Sequence, residues 1–277
     1  MNALGYDFMQ VALVAAFITG LSAPAIGTYI VQRRLALLGD GLGHVALTGV
    51  AIGLLTNVAP LITAIIVAVL GAILIEVLRS VARTSGDVAL AMLFYGGIAG
   101  GVLITNLAGE SARTLNQYLF GAITTMSTAD LALVVALGII VVALSLWLRP
   151  QLFAVCQDES HARVSGVPVR FYSTLIAVLA AVTITVAMRT VGLLLVSALM
   201  VVPVAAAQQV TRSFRSTHLL AMGLGTIASV VGLLISYEAD TQPGPTIVVL
   251  ALAIFVGFAV ARGVGLTTHR PQEDPHD

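Results

Sequence analysis

Two strongly apolar segments near the start of the sequence are joined by the stretch Arg33-Arg34-Leu35-Ala36-Leu37-Leu38-Gly39-Asp40-Gly41-Leu42-Gly43-His44. Asp40 and His44 are four residues apart, and on a helix this spacing places both side chains on one face. An ionisable pair inside a lipid bilayer costs free energy, so its presence indicates a functional site. Carboxylate and imidazole suit divalent zinc, manganese or iron. The alternative is that Asp40 caps a helix and that His44 lines a packed interface.

The composition is typical of a polytopic membrane protein. Of 277 residues, 58% are hydrophobic and 9% are charged, and the mean hydropathy is +1.03, whereas soluble domains carry about 25% charged residues. The chain contains no lysine, which excludes a P-loop ATPase, because that loop needs a lysine on the nucleotide phosphates. The single cysteine, Cys156, excludes an intrachain disulfide and a multi-cysteine metal cluster. No HExxH or GxSxG motif is present, so we predict a transport protein and not an enzyme.

Apolar windows of about 17–25 residues mark membrane-spanning helices. We therefore predict an all-α bundle of about nine transmembrane helices, at residues 8–31, 39–56, 59–78, 88–107, 129–148, 171–188, 191–209, 218–236 and 245–262. The whole of residues 1–266 forms one transmembrane domain in this interpretation. The polar, proline-containing tail at 267–277 is predicted to be disordered.

The arginines are unevenly divided between the two sets of joints that connect these helices. One set holds only Arg113 and Arg189, and the other holds Arg33, Arg34, Arg79, Arg83, Arg149, Arg163, Arg170, Arg212, Arg215, Arg262 and Arg270. By the positive-inside rule, the arginine-rich joints face the cytoplasm. The N-terminus then lies outside and the C-terminus inside, and a count of eight helices would break this alternation.

The joint at 149–170 contains a candidate short helix, at about 158–167. Acids at its start, arginine near its end and then glycine and proline are helix start and stop signals. A helix of two turns gains little stability alone, so we expect it to dock against another surface.

The other ionisable residues have simpler interpretations. Glu76 and Arg79 have the spacing of a local ion pair. The acids near the outer turn, Glu238 and Asp240, attract cations at a pathway mouth, contact a binding protein, or form a solvated turn. We expect four histidines to be solvated: His161, His218, His269 and His276.

Four stretches of the sequence resemble the permease subunits of zinc, manganese and iron ABC importers. These stretches are residues 32–47, which include Asp40 and His44, the pair Phe120-Gly121, residues 191–207 and residues 240–247. The resemblance covers residues 8–262 in order.

This resemblance implies the membrane half of a type II ABC importer in a bacterial cytoplasmic membrane. The expected partners are a second copy of the chain, two cytoplasmic ATP-binding subunits, an external metal-delivering binding protein and membrane lipid. No nucleic acid and no permanently bound cofactor are expected. Asp40 and His44 would form a transient site for the transported metal. The segment that couples transport to the ATPase falls on the short helix, at Asp158, Glu159, Ala162 and Gly166.

One departure from the family and two alternative functions bear on this interpretation. Many members of the family have proline at the position of Thr48, so the second helix is expected to be less kinked here. A permease for haem, siderophores or cobalamin would have no use for cation ligands at Asp40 and His44. A secondary transporter driven by an ion gradient would have no use for a coupling helix.

Overall fold

The chain was analysed as a computed structural model, which describes residues 7–81, 86–108, 118–121 and 126–263. These residues form helices and their connections, without β-strands among them. In chain order the helices are α1 (Asp7–Gln32), α2 (Leu38–Thr56), α3 (Pro60–Val81), α4 (Gly86–Leu107), α5 (Thr128–Trp147), α6 (Arg149–Gln157), α7 (Glu159–Val164), α8 (Val169–Met188), α9 (Leu193–Val210), α10 (Phe214–Glu238) and α11 (Pro243–Gly263). The tail at 267–277 lies outside the described residues, as do Arg83, Arg113, Arg270, His269 and His276.

Each predicted apolar window coincides with one long helix. Within the described ranges, eight helices are long and apolar enough to cross a membrane, and α9 is a shorter apolar helix with Pro203 in its interior. The prediction of an all-α membrane bundle is confirmed, with eight or nine crossings depending on whether α9 is counted. The two additional helices, α6 and α7, are only 9 and 6 residues long.

Four helices form the centre of the bundle: α8 and α9 pack against each other, and each of them packs against both α1 and α2. In α1, α2 and α8, 67% of the most apolar stretch is buried, compared with 22% in α4, α5 and α11. The pair α3 and α4 covers α2, whereas α10 and α11 cover α1 and α9. Large side chains such as Ile26, Leu42 and Leu199 fill the interior. The helix that carries Asp40 and His44 is therefore central, and α4 is its peripheral neighbour.

The arginine-rich joints meet at one end of the bundle. There the Gln32 side chain donates a hydrogen bond to the Gln157 side chain at 2.8 Å, and Arg262 donates to Gln209 at 2.9 Å. The first contact joins the ends of α1 and α6, and the second joins the ends of α9 and α11. We call this the arginine-rich end. Arg189 follows α8 at the opposite end.

The predicted ion pair in α3 is confirmed. Arg79 lies 3.1 Å from Glu76 across one turn, and the two side chains are 26% and 15% exposed. The charges neutralise each other locally at the arginine-rich end of the helix. Neither group is directed toward the Asp40 cleft described below.

The expectation that His218 is solvated is wrong. Its side chain is fully buried, and its ring packs against Tyr29 and Phe214 with centroid separations of 5.4 and 5.8 Å. The reason is that α10 begins at Phe214, so His218 lies one turn later on the face that packs against Tyr29 of α1. His161 is exposed, as expected. Neither ring nitrogen of His218 has a hydrogen-bond partner among the described residues.

Replacing His218 with phenylalanine is expected to raise the thermal unfolding midpoint of the purified protein. Phenylalanine keeps the aromatic packing and removes two unpaired buried nitrogens, and such a nitrogen costs about 1–3 kcal/mol. Thermal unfolding in detergent measures the effect, with His161→Ala as the control at an exposed histidine. A lower midpoint for His218→Phe would mean that the imidazole makes a stabilising polar contact.

Candidate metal site

Asp40 lies in the first turn of α2 and is not the residue that caps it. The helix begins at Leu38, and its N-cap residue is Leu37, whose backbone is itself helical (φ −76°, ψ −8°) and forms no side-chain cap bond. The alternative interpretation of Asp40 as a helix cap is therefore wrong. Its half-buried side chain lines a cleft of about 320 Å³, together with Leu37, Leu90, Ala91, Phe94 and Tyr95.

His44 lies one turn further along the same face of α2. Its side chain is 9% exposed, and the ring packs edge-on against Phe94 with a centroid separation of 4.6 Å and an interplanar angle of 83°. Within the described residues, Nδ1 of His44 has no hydrogen-bond partner. Because Asp40 and His44 are four residues apart on α2, their side chains are neighbours on the helix surface. The pair thus offers one carboxylate and one unengaged ring nitrogen, both suited to a divalent cation.

Close packing between α2 and α4 fixes the position of His44 relative to α4. A Cβ atom on Gly97 would lie 2.7 Å from the carbonyl carbon of His44 and 2.8 Å from the nitrogen of Val45, so only glycine fits there. The Thr48 hydroxyl donates a hydrogen bond to the carbonyl oxygen of Gly97 at 2.8 Å. α2 is continuous from Leu38 to Thr56. Thr48 therefore joins α2 to α4 by a direct hydrogen bond, and α2 has no break at this position.

One chain supplies an incomplete metal site. Across the parts of the chain that the structure describes, no group of three or more His, Cys, Asp or Glu side chains is placed to hold a metal ion. Asp40 and His44 are two ligands, whereas zinc usually takes four. Cys156 does not add one, because it lies on α6, outside the Asp40 cleft, and its thiol donates to the Tyr29 carbonyl oxygen at 3.7 Å.

The residues that the sequence interpretation missed all belong to α4. Phe94 and Tyr95 wall the cleft beside Asp40, and Gly97 admits the close approach of His44. The available signal was the local string Phe94-Tyr95-Gly96-Gly97, an aromatic pair followed by a glycine pair inside an apolar helix. Without knowing that α2 and α4 are neighbours, this string indicates only tight helix packing.

The predicted short helix at the arginine-rich end is present as α7. Asp158 is its N-cap, and its carboxylate accepts hydrogen bonds from the backbone nitrogens of Ser160 at 2.8 Å and His161 at 3.0 Å. These bonds hold the pKa of Asp158 below its usual value. Gly166 follows the helix with φ +82°, a conformation that favours glycine. Ala162 is buried and belongs to a small apolar cluster with Val155 and Val169, so α7 docks on its own chain.

The two outer acids, Glu238 and Asp240, lie at the other end of the bundle from Asp40 and His44. Glu238 ends α10 and Asp240 follows it, at the end opposite the arginine-rich joints, and both side chains are exposed. Asp240 has φ +50° in a turn closed by the Thr241 nitrogen donating to the Ser236 carbonyl oxygen at 3.0 Å. The structure does not bring these acids to Asp40 or His44.

Three of the stretches that carry the family resemblance meet at that same opposite end. A Cβ on Gly192 would lie 2.3 Å from the carbonyl carbon of Phe120, and a Cβ on Gly244 would lie 2.1 Å from the Val191 oxygen. Gly121 and Gly192 both have positive φ, +81° and +91°. These segments therefore pack backbone to backbone and need glycine at each contact. Residues 109–117 and 122–125, which flank Phe120-Gly121 in the sequence, lie outside the described residues.

Comparison with known proteins gives matches along nearly the whole chain. Residues 5–262 match the ABC 3 transport family. The chain is 31% identical over 257 residues to the manganese import system permease protein ScaB of Streptococcus gordonii, covering 92% of both proteins. It is 30% identical over 251 residues to the chelated iron transport system membrane protein YfeD of Yersinia pestis, covering 91% of this chain and 84% of that protein.

Solved structures have the same architecture. PsaBC from Streptococcus pneumoniae in complex with Fab is similar with a TM-score of 0.84 and 30% sequence identity, covering 93% of this chain and 92% of that one. An inward-facing putative metal-chelate type ABC transporter shares the fold, with a TM-score of 0.68 at 14% identity. The apolar helices and these similarities identify an integral membrane protein. With the family match spanning residues 5–262, the chain belongs to the ABC 3 transport family.

Proposed function

We propose that this chain is the permease subunit of an ATP-driven importer for a divalent metal ion: zinc, manganese or iron. The observation that carries the proposal is the Asp40 and His44 pair, one turn apart beside a cleft, with the carboxylate free of a capping role and the imidazole Nδ1 unengaged. Relatives named for manganese import and chelated iron transport support the choice of cargo.

The metal passes between two copies of the chain in this proposal. Each chain offers two ligands on one face of α2, Asp40 in the cleft and His44 one turn further along the helix. A second copy supplies the same two and completes four-fold coordination. A site shared between two subunits holds the ion only while they are close together. Such a site is weak enough to release its cargo when the subunits separate, as conduction requires.

Energy is supplied by separate subunits. The chain contains no lysine and so lacks a P-loop of its own. We place the docking surface for two ATP-binding subunits at α6 and α7, with Asp158, Glu159, Ala162 and Gly166 shaping α7. An external binding protein would deliver metal at the opposite end, where Glu238 and Asp240 are exposed.

The charge distribution supports one orientation in a bacterial cytoplasmic membrane. The arginine-rich end faces the cytoplasm under the positive-inside rule. The N-terminus then lies outside and the C-terminus inside. The exposed apolar side chains of the outer helices, such as Leu70, Leu103 and Val256, contact lipid.

Metal accumulation in cells that lack this chain tests the function directly. Cellular zinc, manganese and iron are measured with and without the restored gene, together with uptake of haem and cobalamin. We expect the level of one divalent metal to fall and to recover with the gene. Loss of haem or cobalamin uptake at unchanged metal levels would favour the larger-substrate alternative. Uptake that persists without the ATP-binding subunits would favour an ion-gradient-driven transporter.

Breaking α7 is expected to uncouple ATP hydrolysis from transport. In Ala162→Pro the backbone bond from the Ala162 nitrogen to the Asp158 oxygen (3.0 Å) is lost, and proline inside a helix costs about 3 kcal/mol. We expect metal uptake to stop while the chain still inserts and still binds metal. ATPase activity that still rises on addition of metal-loaded binding protein would count against α7 as the coupling helix.

A further inference from the structure

Arg33 is a buried arginine in the joint between α1 and α2. Its side chain is only 5% exposed, and it forms an ion pair with Glu159 in the first turn of α7. The same Nη2 atom donates to the Ser173 hydroxyl on α8 at 3.1 Å. One guanidinium thus joins the start of α7, the start of α8 and the joint that leads to Asp40.

The joint between α1 and α2 is short, and it is held by backbone hydrogen bonds. α1 ends with the Leu35 nitrogen bonded to the Ile30 oxygen and the Arg34 nitrogen bonded to the Val31 oxygen, both at 3.0 Å. Arg34 has φ +59°, so this is a Schellman termination with arginine in the left-handed position. The Leu38 nitrogen then bonds to the Leu35 oxygen at 2.8 Å, and α2 begins. A displacement of Arg33 therefore reaches Asp40 through hydrogen-bonded turns and not through a flexible loop.

Two further contacts connect the same elements beside the ion pair. The Gln32 side chain donates to the Gln157 side chain at 2.8 Å. The Cys156 thiol donates to the Tyr29 oxygen at 3.7 Å. The last turns of α1 are therefore joined to the end of α6 and the start of α7 at three successive points.

The Arg33 side chain is almost fully enclosed while the helices are packed. The space beside it is a void of about 10 Å³, lined in part by Leu38, Glu76, Arg79 and Leu90, which holds about one water molecule. A buried guanidinium needs its carboxylate partner, because separating the two leaves an uncompensated charge. Movement of α7 must therefore carry Arg33 with it or break the pair.

We infer that Arg33 is a positioning residue that transmits displacement of α7 to the metal ligands on α2. This inference rests on the proposed function, in which the ATP-binding subunits move α6 and α7. Closure of those subunits shifts Glu159, the ion pair moves the buried Arg33 guanidinium with it, and the hydrogen-bonded joint changes the position of Asp40 and His44. Neither Arg33 nor Glu159 contacts the metal in this arrangement. The pair instead determines at which stage of the ATPase cycle the metal site forms and opens.

The test uses the complete transporter, with its ATP-binding subunits, reconstituted into proteoliposomes. The number of ATP molecules hydrolysed per metal ion transported is measured for wild type, Arg33→Gln, Glu159→Gln and the control Arg34→Gln. Arg34 is exposed and neighbours Arg33 in the same joint. We expect the ratio to rise about tenfold in both pair variants, in the usual range of coupling between sites, and to stay at the wild-type value in Arg34→Gln.

Rescue and failure are distinguishable outcomes. The reversed pair, Arg33→Glu with Glu159→Arg, is expected to bring the ratio back toward wild type. A wild-type ratio in Glu159→Gln, which alters a half-exposed side chain, would overturn the inference even if Arg33→Gln fails to assemble. Reduced thermal stability at an unchanged ratio would assign the pair a structural role only. If wild type itself transports no metal, the proposed function fails instead.

Discussion

We expect Asp40→Asn and His44→Ala each to reduce metal uptake to the level of cells that lack the chain. Asparagine keeps the size of Asp40 and removes the negative charge that a divalent cation requires, and alanine removes the imidazole nitrogen. Because the Asp40 side chain forms no cap bond, its replacement changes stability by only about 0.5 kcal/mol. Membrane insertion and assembly with the ATP-binding subunits should match wild type in both variants, and so should the thermal midpoint of Asp40→Asn. The midpoint of His44→Ala should fall, because the buried ring packs against Phe94 and its removal leaves a cavity.

The matched control is Glu238→Gln, which makes the same change of charge at an exposed position at the other end of the bundle. Uptake should be retained in this variant, because Glu238 lies outside the Asp40 cleft and the neighbouring Asp240 still supplies a carboxylate at the delivery end. Normal uptake in Asp40→Asn or His44→Ala would refute the assignment of these residues as metal ligands. Equal losses in the control would point to general electrostatic attraction and not to a site on α2.

Replacing Gly97 with alanine is expected to separate α2 from α4 and to remove transport. The added methyl would lie 2.7 Å from the His44 carbonyl carbon, and the hydrogen bond from Thr48 to the Gly97 oxygen would be lost as the helices part. Overpacking of this kind costs about 1–3 kcal/mol. The thermal midpoint should fall together with metal uptake, because the same contact holds His44 against Phe94.

Gly96→Ala is the control for this variant, one residue away on the same helix. A Cβ on Gly96 would meet no atom within 4 Å, and alanine is the better helix former by about 1 kcal/mol. We expect the midpoint to stay the same or rise. If Gly97→Ala and Gly96→Ala have equal midpoints in thermal unfolding, then close approach of α2 and α4 does not position His44.

Periodicity and apolar length were enough to predict the helices, since each predicted window contains one. The acid and glycine signals around residues 158–167 predicted α7, because capping is local and depends on the order of Asp158, Ala162 and Gly166. The Asp40 and His44 pair could be found for the same reason: a four-residue spacing on a helix is readable without knowing the fold. Helix caps and helix-face spacings depend on residues that are close together in the sequence, so the sequence alone is sufficient to predict them.

The parts that could not be predicted depend on which helices are neighbours. His218 has the polarity of a solvated residue, and only the packing of α10 against Tyr29 buries it. The roles of Phe94 and Gly97 follow from the pairing of α2 with α4, and that of Arg33 from a contact with Glu159 across more than a hundred residues. Each of these contacts joins residues that are far apart in the sequence, so no local pattern predicts which residues meet. Whether Asp40 capped α2 was also undecided, because the helix starts two residues before it and not at it.

The most direct test of the account is ATP-driven uptake of radioactive zinc, manganese or iron into proteoliposomes that contain the complete transporter. We predict that wild type accumulates one of these metals only when ATP and the metal-loaded binding protein are present. His44→Ala should hydrolyse ATP but accumulate none. Uptake by His44→Ala at the wild-type rate, or no accumulation of any of the three metals by an active wild-type complex, would contradict the claim that Asp40 and His44 form the site through which a divalent metal passes.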